Sequence, residues 1–318
     1  MSPFISVFTK RIVVTIAQLV RAPDCDSGGR GFKSRWSPHL FKLAAQALAQ
    51  AAFFLVFVRG NEMKGKSLAF LGLIGIFGNS VVGAQAADFS VAVASNFMVP
   101  MQSLIRAFEQ ETGHRAIPSF GATGKLYAQI KHGAPFEVFF SADQTTPQRL
   151  VHEGAAFKDT QVTYAIGKLV LWTRRDNHAA FSESILKAGS FRRLSIANPK
   201  LAPYGAAARQ VMEGLGVWDL LQGQLVMGEN ITQAHQFVAS GNADLGFVAF
   251  SQIPRSGANS EPEGGVWVIP QKLYSPLKQD AVLLRAGKSS AAAKSFLEFV
   301  KTKRAQTLIA ATGYDPVL

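Results

Sequence analysis

The stretch FSVAVASNFMVPMQSLIRAFEQETG, residues 89–113, decides the fold. Its first six residues, FSVAVA, are a short apolar run whose length and valine content mark a buried strand. From Pro100 to Thr112 the apolar residues Met101, Leu104, Ile105 and Phe108 fall at i, i+3, i+4 and i+7, one stripe of a helix. Gly113 closes that helix. Between strand and helix lies Ser95-Asn96, a small polar pair at a junction. The unit then recurs: residues 116–120 predict a second strand and 123–132 a helix with Leu126, Tyr127 and Ile130 inward. Residues 138–141 predict a third strand, ending at Ala142-Asp143. Strands alternating with helices at this spacing define a mostly parallel sheet with crossover helices.

Further along, YAIGKLVLWT (164–173) is one long strand-like run containing Gly167. A second α/β unit follows, with strands at 194–197, 225–227 and 245–249 and helices at 204–215 and 232–239. Residues 254–265, rich in Gly, Ser, Pro and Glu, predict an exposed loop. Residues 279–285 form another apolar strand, and 291–311 a final helix or helix pair. There is no internal repeat. The layout predicts an α/β protein of two lobes, the first from 88–165 and 280–318, the second from 166–279. The chain would cross near 165–168 and return near 277–281, leaving a cleft where open α/β sheets bind ligands.

The net charge of +12 first suggests a nucleic-acid or anionic-surface partner. Its distribution argues against that. Residues 1–62 carry +5 and 63–87 carry +2, so the remaining 231 residues hold only +5, with no basic block. No nucleic-acid partner is expected. The single cysteine, Cys25, excludes disulfides and thiol metal sites from residues 88–318, and a lipid anchor at their start.

Residues 63–86 predict a secretory signal peptide. Lys64 and Lys66 precede the apolar run 67–82, and Ala84-Gln85-Ala86 supplies the cleavage pattern. Residues 1–62 are then expected to be a non-native extension from a start codon placed too early. Residues 17–39 resemble translation across a transfer-RNA gene. A rival reading makes 43–58 a membrane anchor, but sixteen residues is short of the about 20 needed to span.

A catalytic reading fares badly. The histidines at 114, 132, 152, 178 and 235 form no metal-binding spacing, and no G-x-S-x-G elbow occurs. Gly121-Ala-Thr-Gly124-Lys125 looks like a phosphate loop, but Ser119 and Leu126 stand where that motif needs Gly and Ser/Thr. Small polar residues instead gather at strand-to-helix junctions: Ser95-Asn96, Thr123, Tyr204-Gly205 and Ile231-Thr232. Each junction exposes unpaired N–H groups at the positive end of a helix. Taken singly, each is an ordinary N-cap or turn. Their shared position at the strand ends of both lobes points to an anion site without formal charge.

These junctions resemble those of the bacterial molybdate-binding proteins of the type II periplasmic binding family. The matching segments are VAVASNF (91–97), SFGATGKLYAQIKHGAPFEVFFSAD (119–143), YAIGKLVLW (164–172), IANPKLAPYGAAA (196–208), GENITQAHQFVASGNADLGFVA (228–249) and ATGYDP (311–316). They run in order through almost all of residues 88–318. GAPFEVFFSAD and NPKLAPYG are the specific ones. The resemblance implies the two-lobed type II periplasmic binding protein fold. It also implies an oxyanion held by neutral hydroxyls and backbone amides, with no Lys or Arg in contact. Position by position, Ser95 and Asn96 would donate from the first junction and Thr123, with Gly124 behind it, from the second. Tyr204 would supply a phenol, and Ile231 a backbone amide. Relatives in another branch carry a tyrosine where this chain has Ala249. Molybdenum or tungsten would be bound as the oxyanion, through Ser95, Thr123, Tyr204 and Ile231. No residue is expected to ligate a metal directly, and no cofactor is expected.

About seven such donor bonds, each net roughly 1.5–3 kcal/mol, can reach nanomolar binding of a dianion, about −12 kcal/mol, after association costs. A donor-only cavity excludes hydrogen phosphate, whose proton needs an acceptor, while sulfate must be rejected by size. The implied role is capture of molybdate, and of tungstate, in the periplasm of a Gram-negative cell. A monomer would deliver it to an inner-membrane ABC permease with its cytoplasmic ATPase. Sulfate, thiosulfate or phosphate are alternative ligands for the same machine. An effector-sensing domain of a LysR-type regulator has the same lobes, but the signal peptide and the missing helix-turn-helix oppose it. No enzyme is expected, for want of a triad, a metal set or paired carboxylates.

Overall fold

The apolar run that opens the chain's α/β pattern becomes β1, Asp88–Ala94, buried over its last four residues. It pairs in parallel with β2, Arg115–Gly121, and with β3, Val138–Phe140. The helices between them are α1, Met98–Thr112, and α2, Thr123–Lys131. Gly113 ends α1 in the left-handed conformation (φ 75°), where a side chain would be strained. The structure, a computed structural model, describes residues 86–175, 181–254, 262–315 and 317. The predicted extension and all of the predicted signal peptide but Ala86 lie outside the described residues. So do His178, Pro316 and most of the predicted loop at 254–265.

One helix at the end of the first unit, α3, Thr145–His152, has no apolar stripe that sequence reading picked out. It starts where Asp143 accepts the Thr146 N–H at 2.8 Å. The long run 164–173 then proves to be two strands. β4, Val162–Gly167, belongs to the first sheet, and β5, Leu169–Thr173, to the second, so the crossing is the single residue Lys168. Both strands are apolar, which is why periodicity could not separate them.

The second lobe continues with α4, Glu183–Ala188, β6, Leu194–Ala197, α5, Pro203–Gly214, and α6, Trp218–Leu221. Then come β7, Leu225–Gly228, α7, Ile231–Ala239, β8, Leu245–Ala249, and β9, Gly265–Val268. Neither α4 nor β9 was anticipated, both being short. The chain returns as β10, Leu277–Leu283, antiparallel to β3 and β4. Leu277 already pairs with Gly167, so the second lobe ends before residue 277 rather than at 279. Leu277 is buried, and its pairing pulls the strand start forward. The tail folds as the helix pair α8, Ala291–Val300, and α9, Lys303–Ala310.

The sheet orders are β2-β1-β3-β10-β4 and β7-β6-β8-β5-β9, and both sheets fall within one compact unit running from Val82 to the end. Each therefore has a parallel pair, β1/β2 or β6/β7, whose C-terminal ends are followed by helices, directly after β1 and across the short segment 198–202 after β6. Phe89, Phe108, Phe140 and Phe296 interlock in the first core, with ring centroids 5.0–6.0 Å apart. Full burial of such a ring stabilises by about 1.5–3 kcal/mol. Phe97, one residue past Asn96, packs edge-on against Tyr164 at 4.5 Å and Tyr314 at 5.4 Å. That clamp fixes the first junction to the rigid core.

Candidate ligand-binding site

Four strand ends converge on a small cavity lined by Ser95, Asn96, Thr123, Tyr204 and Ile231, together with Ala94, Ala122, Ala142 and Ala202. The five junction residues are all at least 96% buried. None of the cavity's described lining residues is charged.

The ordinary capping explanation fails at three of the four junctions. The residues at the N-cap positions are Ala94, Ala122 and Ala202, and none of them places a side chain on a backbone N–H. Alanine is among the poorest N-caps, giving up about 0.5–2 kcal/mol relative to Ser, Thr, Asn or Asp. Ser95 and Thr123 stand one residue later and Tyr204 two later, already inside the helix. Only Asn230, ahead of Ile231, caps in the usual way, accepting from the Gln233 N–H at 3.1 Å. Uncapped helix starts facing a cavity are the donors an anion would satisfy.

The hydroxyls are arranged to match. The Thr123 Oγ1 accepts from the Ala142 N–H at 3.2 Å, which leaves its hydrogen to donate. The Ser95 hydroxyl makes no hydrogen bond to another described residue. The backbone carbonyls of this junction, which would repel an anion, are engaged elsewhere. The Ser95 carbonyl accepts from the Thr232 Oγ1 at 3.2 Å, and that of Asn96 from the Ser251 Oγ at 3.1 Å. Burial, with Tyr314 close by, pushes the Tyr204 phenol well above its ordinary value, so it stays protonated.

Two expected donors have other duties. Both Nδ2 hydrogens of Asn96 are spent inside the protein, on Gln279 Oε1 at 2.8 Å and Tyr314 Oη at 2.9 Å. Its side chain positions the loop, and only its main chain can serve a ligand. The Gly124 N–H donates to the Leu201 carbonyl at 2.9 Å, and Gly124 is absent from the described lining. A Cβ on Gly124 would press on the Leu201 backbone at 3.2–3.3 Å, so this glycine lets the lobes approach. Ala249 belongs to the same buried cluster as Tyr204.

The lobes are closed over the cavity. Thr232–Ser95, Ser251–Asn96 and Gly124–Leu201 all bridge from one to the other, and Lys125 meets Glu229 at 2.5 Å. Sequence reading singled out Thr232 but missed Ser251 and Gln252, which follow β8 after Phe250. It also missed Gln279, a fully buried amide between Lys278 and Asp280 in β10. Among the described residues no group of three or more His, Cys, Asp or Glu could hold a metal ion.

A neutral cavity between two α/β lobes defines a solute-binding protein. The chain belongs to the family of bacterial extracellular solute-binding proteins, which it matches over residues 89–315. It is 49% identical to the molybdate-binding protein ModA of Azotobacter vinelandii over 231 residues, covering 73% of this chain and 91% of that one. Against ModA of Rhodobacter capsulatus it is 46% identical over 232 residues, 73% and 89% of the two chains. The solved periplasmic molybdate-binding protein of Azotobacter vinelandii superposes with a TM-score of 0.69 at 39% identity, covering 72% of this chain and all of that one.

Proposed function

We propose that this protein binds molybdate, and tungstate with it, in the periplasm and delivers the ion to an ABC permease. The observation that carries this reading is the set of three alanine-capped helix starts, from both lobes, opening on one uncharged cavity. An oxyanion there satisfies N–H groups that the N-cap side chains leave without a cap. The names of the two ModA relatives support molybdate as that oxyanion. Ser95, Thr123 and Tyr204 donate hydroxyl hydrogens, and Ile231 and Asn96 donate main-chain hydrogens. The protein works as a monomer, performs no catalysis and needs no cofactor. Export by the signal peptide at 63–86 places it in the periplasm.

Closure creates the surface a permease reads, because Lys125, Glu229 and their neighbours come together only when the lobes meet. Calorimetric titration with molybdate, tungstate, sulfate and phosphate tests the reading. Tight binding of the first two alone is expected. Heat from sulfate or phosphate instead would keep the transport role and replace the ligand.

A further inference from the structure

This inference rests on the reading of Tyr204 as a donor to the bound oxyanion. A hydroxyl has one hydrogen to give and lone pairs to receive, so by itself it can serve either a bare oxyanion or a protonated one. The choice depends on what its other side faces. For Thr123 that partner is a backbone N–H, at Ala142. For Tyr204 it is a side chain: the Gln279 Nε2 donates to the Tyr204 Oη at 3.2 Å.

Gln279 is held from turning its amide round. Its Oε1 accepts from the Asn96 Nδ2 at 2.8 Å and shares the Tyr164 hydroxyl hydrogen, at 3.0 Å, with the Ser141 carbonyl at 2.9 Å. Asn96 is fixed in turn, because its Nδ2 also donates to the Tyr314 Oη at 2.9 Å. Gln279 is fully buried and sits where the β10–β4 register shifts, between Gln279 and Asp280. Such irregularities re-aim side chains beside functional sites. A fully buried glutamine with both ends engaged is a directional element, since reversing it would set donor against donor.

We propose that Gln279 is a positioning residue that orders the Tyr204 hydroxyl as a donor into the cavity, and so selects fully ionised oxyanions over protonated ones. It touches no ligand itself. It acts by filling the phenol's acceptor side from behind.

Gln279→Glu tests this with little change of shape. One carboxylate oxygen still accepts from Asn96 and Tyr164, while the other replaces the Nε2 donor with an acceptor that takes the Tyr204 hydrogen. Molybdate affinity relative to wild type, measured by calorimetry at several pH values, should fall about 10–100-fold at high pH. It should recover on acidification, because the introduced carboxyl, once protonated, donates as the Gln279 amide does. Hydrogen phosphate binding should gain relative to molybdate, and the loss should vanish when Tyr204→Phe is already present. Gln279→Met, which removes the donor without burying an acid, should narrow the molybdate-to-phosphate ratio by about 3-fold or more. A pH-independent loss that persists beside Tyr204→Phe would reduce Gln279 to a packing role and overturn the inference. An unchanged molybdate-to-phosphate ratio in both variants would overturn it too. A wild-type protein that binds neither molybdate nor tungstate would instead bring down the functional reading itself, and this inference with it.

Discussion

Lys125, two residues into the first lobe's α2, holds Glu229 of the second lobe at 2.5 Å across the cleft. The pair bridges the two lobes directly. Both side chains remain 37–50% exposed, so solvent screens them and the pair is worth about 0.2–1 kcal/mol. Breaking it with Lys125→Ala or Glu229→Gln should speed ligand release by at most about fivefold. The two differ in capture: loss of the cation slows anion association and loss of the acid hastens it, each more at low salt. Stopped-flow kinetics at two ionic strengths separates these effects.

Tyr204→Phe removes one hydroxyl from a buried donor set. Molybdate affinity should drop about 10–100-fold, the worth of one hydrogen bond to a charged group. A titration showing wild-type affinity would mean the phenol serves only the Gln279 network.

Ala122→Ser should separate stability from function. A serine at this N-cap can accept from the α2 amides, stabilising the empty protein by about 0.5–2 kcal/mol. The same bond takes up a hydrogen that the oxyanion would use. Thermal unfolding without ligand should shift upward while molybdate affinity falls.

Gly167 closes β4 just before the crossing, and a Cβ there would collide with the Tyr204 hydroxyl and crowd the Gln279 Nε2. Gly167→Ala should therefore weaken ligand binding at least as much as Tyr204→Phe. The fold should survive, since the strand itself tolerates alanine. Small-angle scattering with ligand present should report a more open particle than wild type.

The buried phenols set an alkaline limit. Burial pushes Tyr314 up to about 12 and holds Tyr164 and Tyr204 well above the ordinary value of 10. A raised folded-state value leaves stability unaffected below pH about 10, where both states are protonated. From there stability falls with rising pH, because the unfolded chain ionises first. Denaturant midpoints should be flat from neutral to about 10 and drop toward about 12, with a shallower drop in Tyr314→Phe.

Much of the architecture was legible because the first strands alternate with striped helices. β1, α1, β2 and α2 each carry their own period. What was hidden lay where two apolar elements touch without punctuation, as at Gly167-Lys168, or where an element is four to eight residues long, as in α3, α4 and β9. At the site, residue types at strand ends located the cradle, since Ser95, Thr123, Tyr204 and Ile231 all line it. The division of labour was not legible. Whether Asn96 spends its amide on a ligand or on Gln279 depends on residues about 180 positions away. The alanines at the N-cap positions carry no signal, because they act by lacking a polar side chain.

A cradle without a counter-charge has an electrical consequence. A dianion that enters is not neutralised by any lining group, so capture makes the whole particle two charges more negative while hiding the ion from view. Empty and loaded forms then differ in electrophoretic mobility as well as in shape. A partner with a charged docking face could tell a full carrier from a vacant one at a distance, before any contact forms.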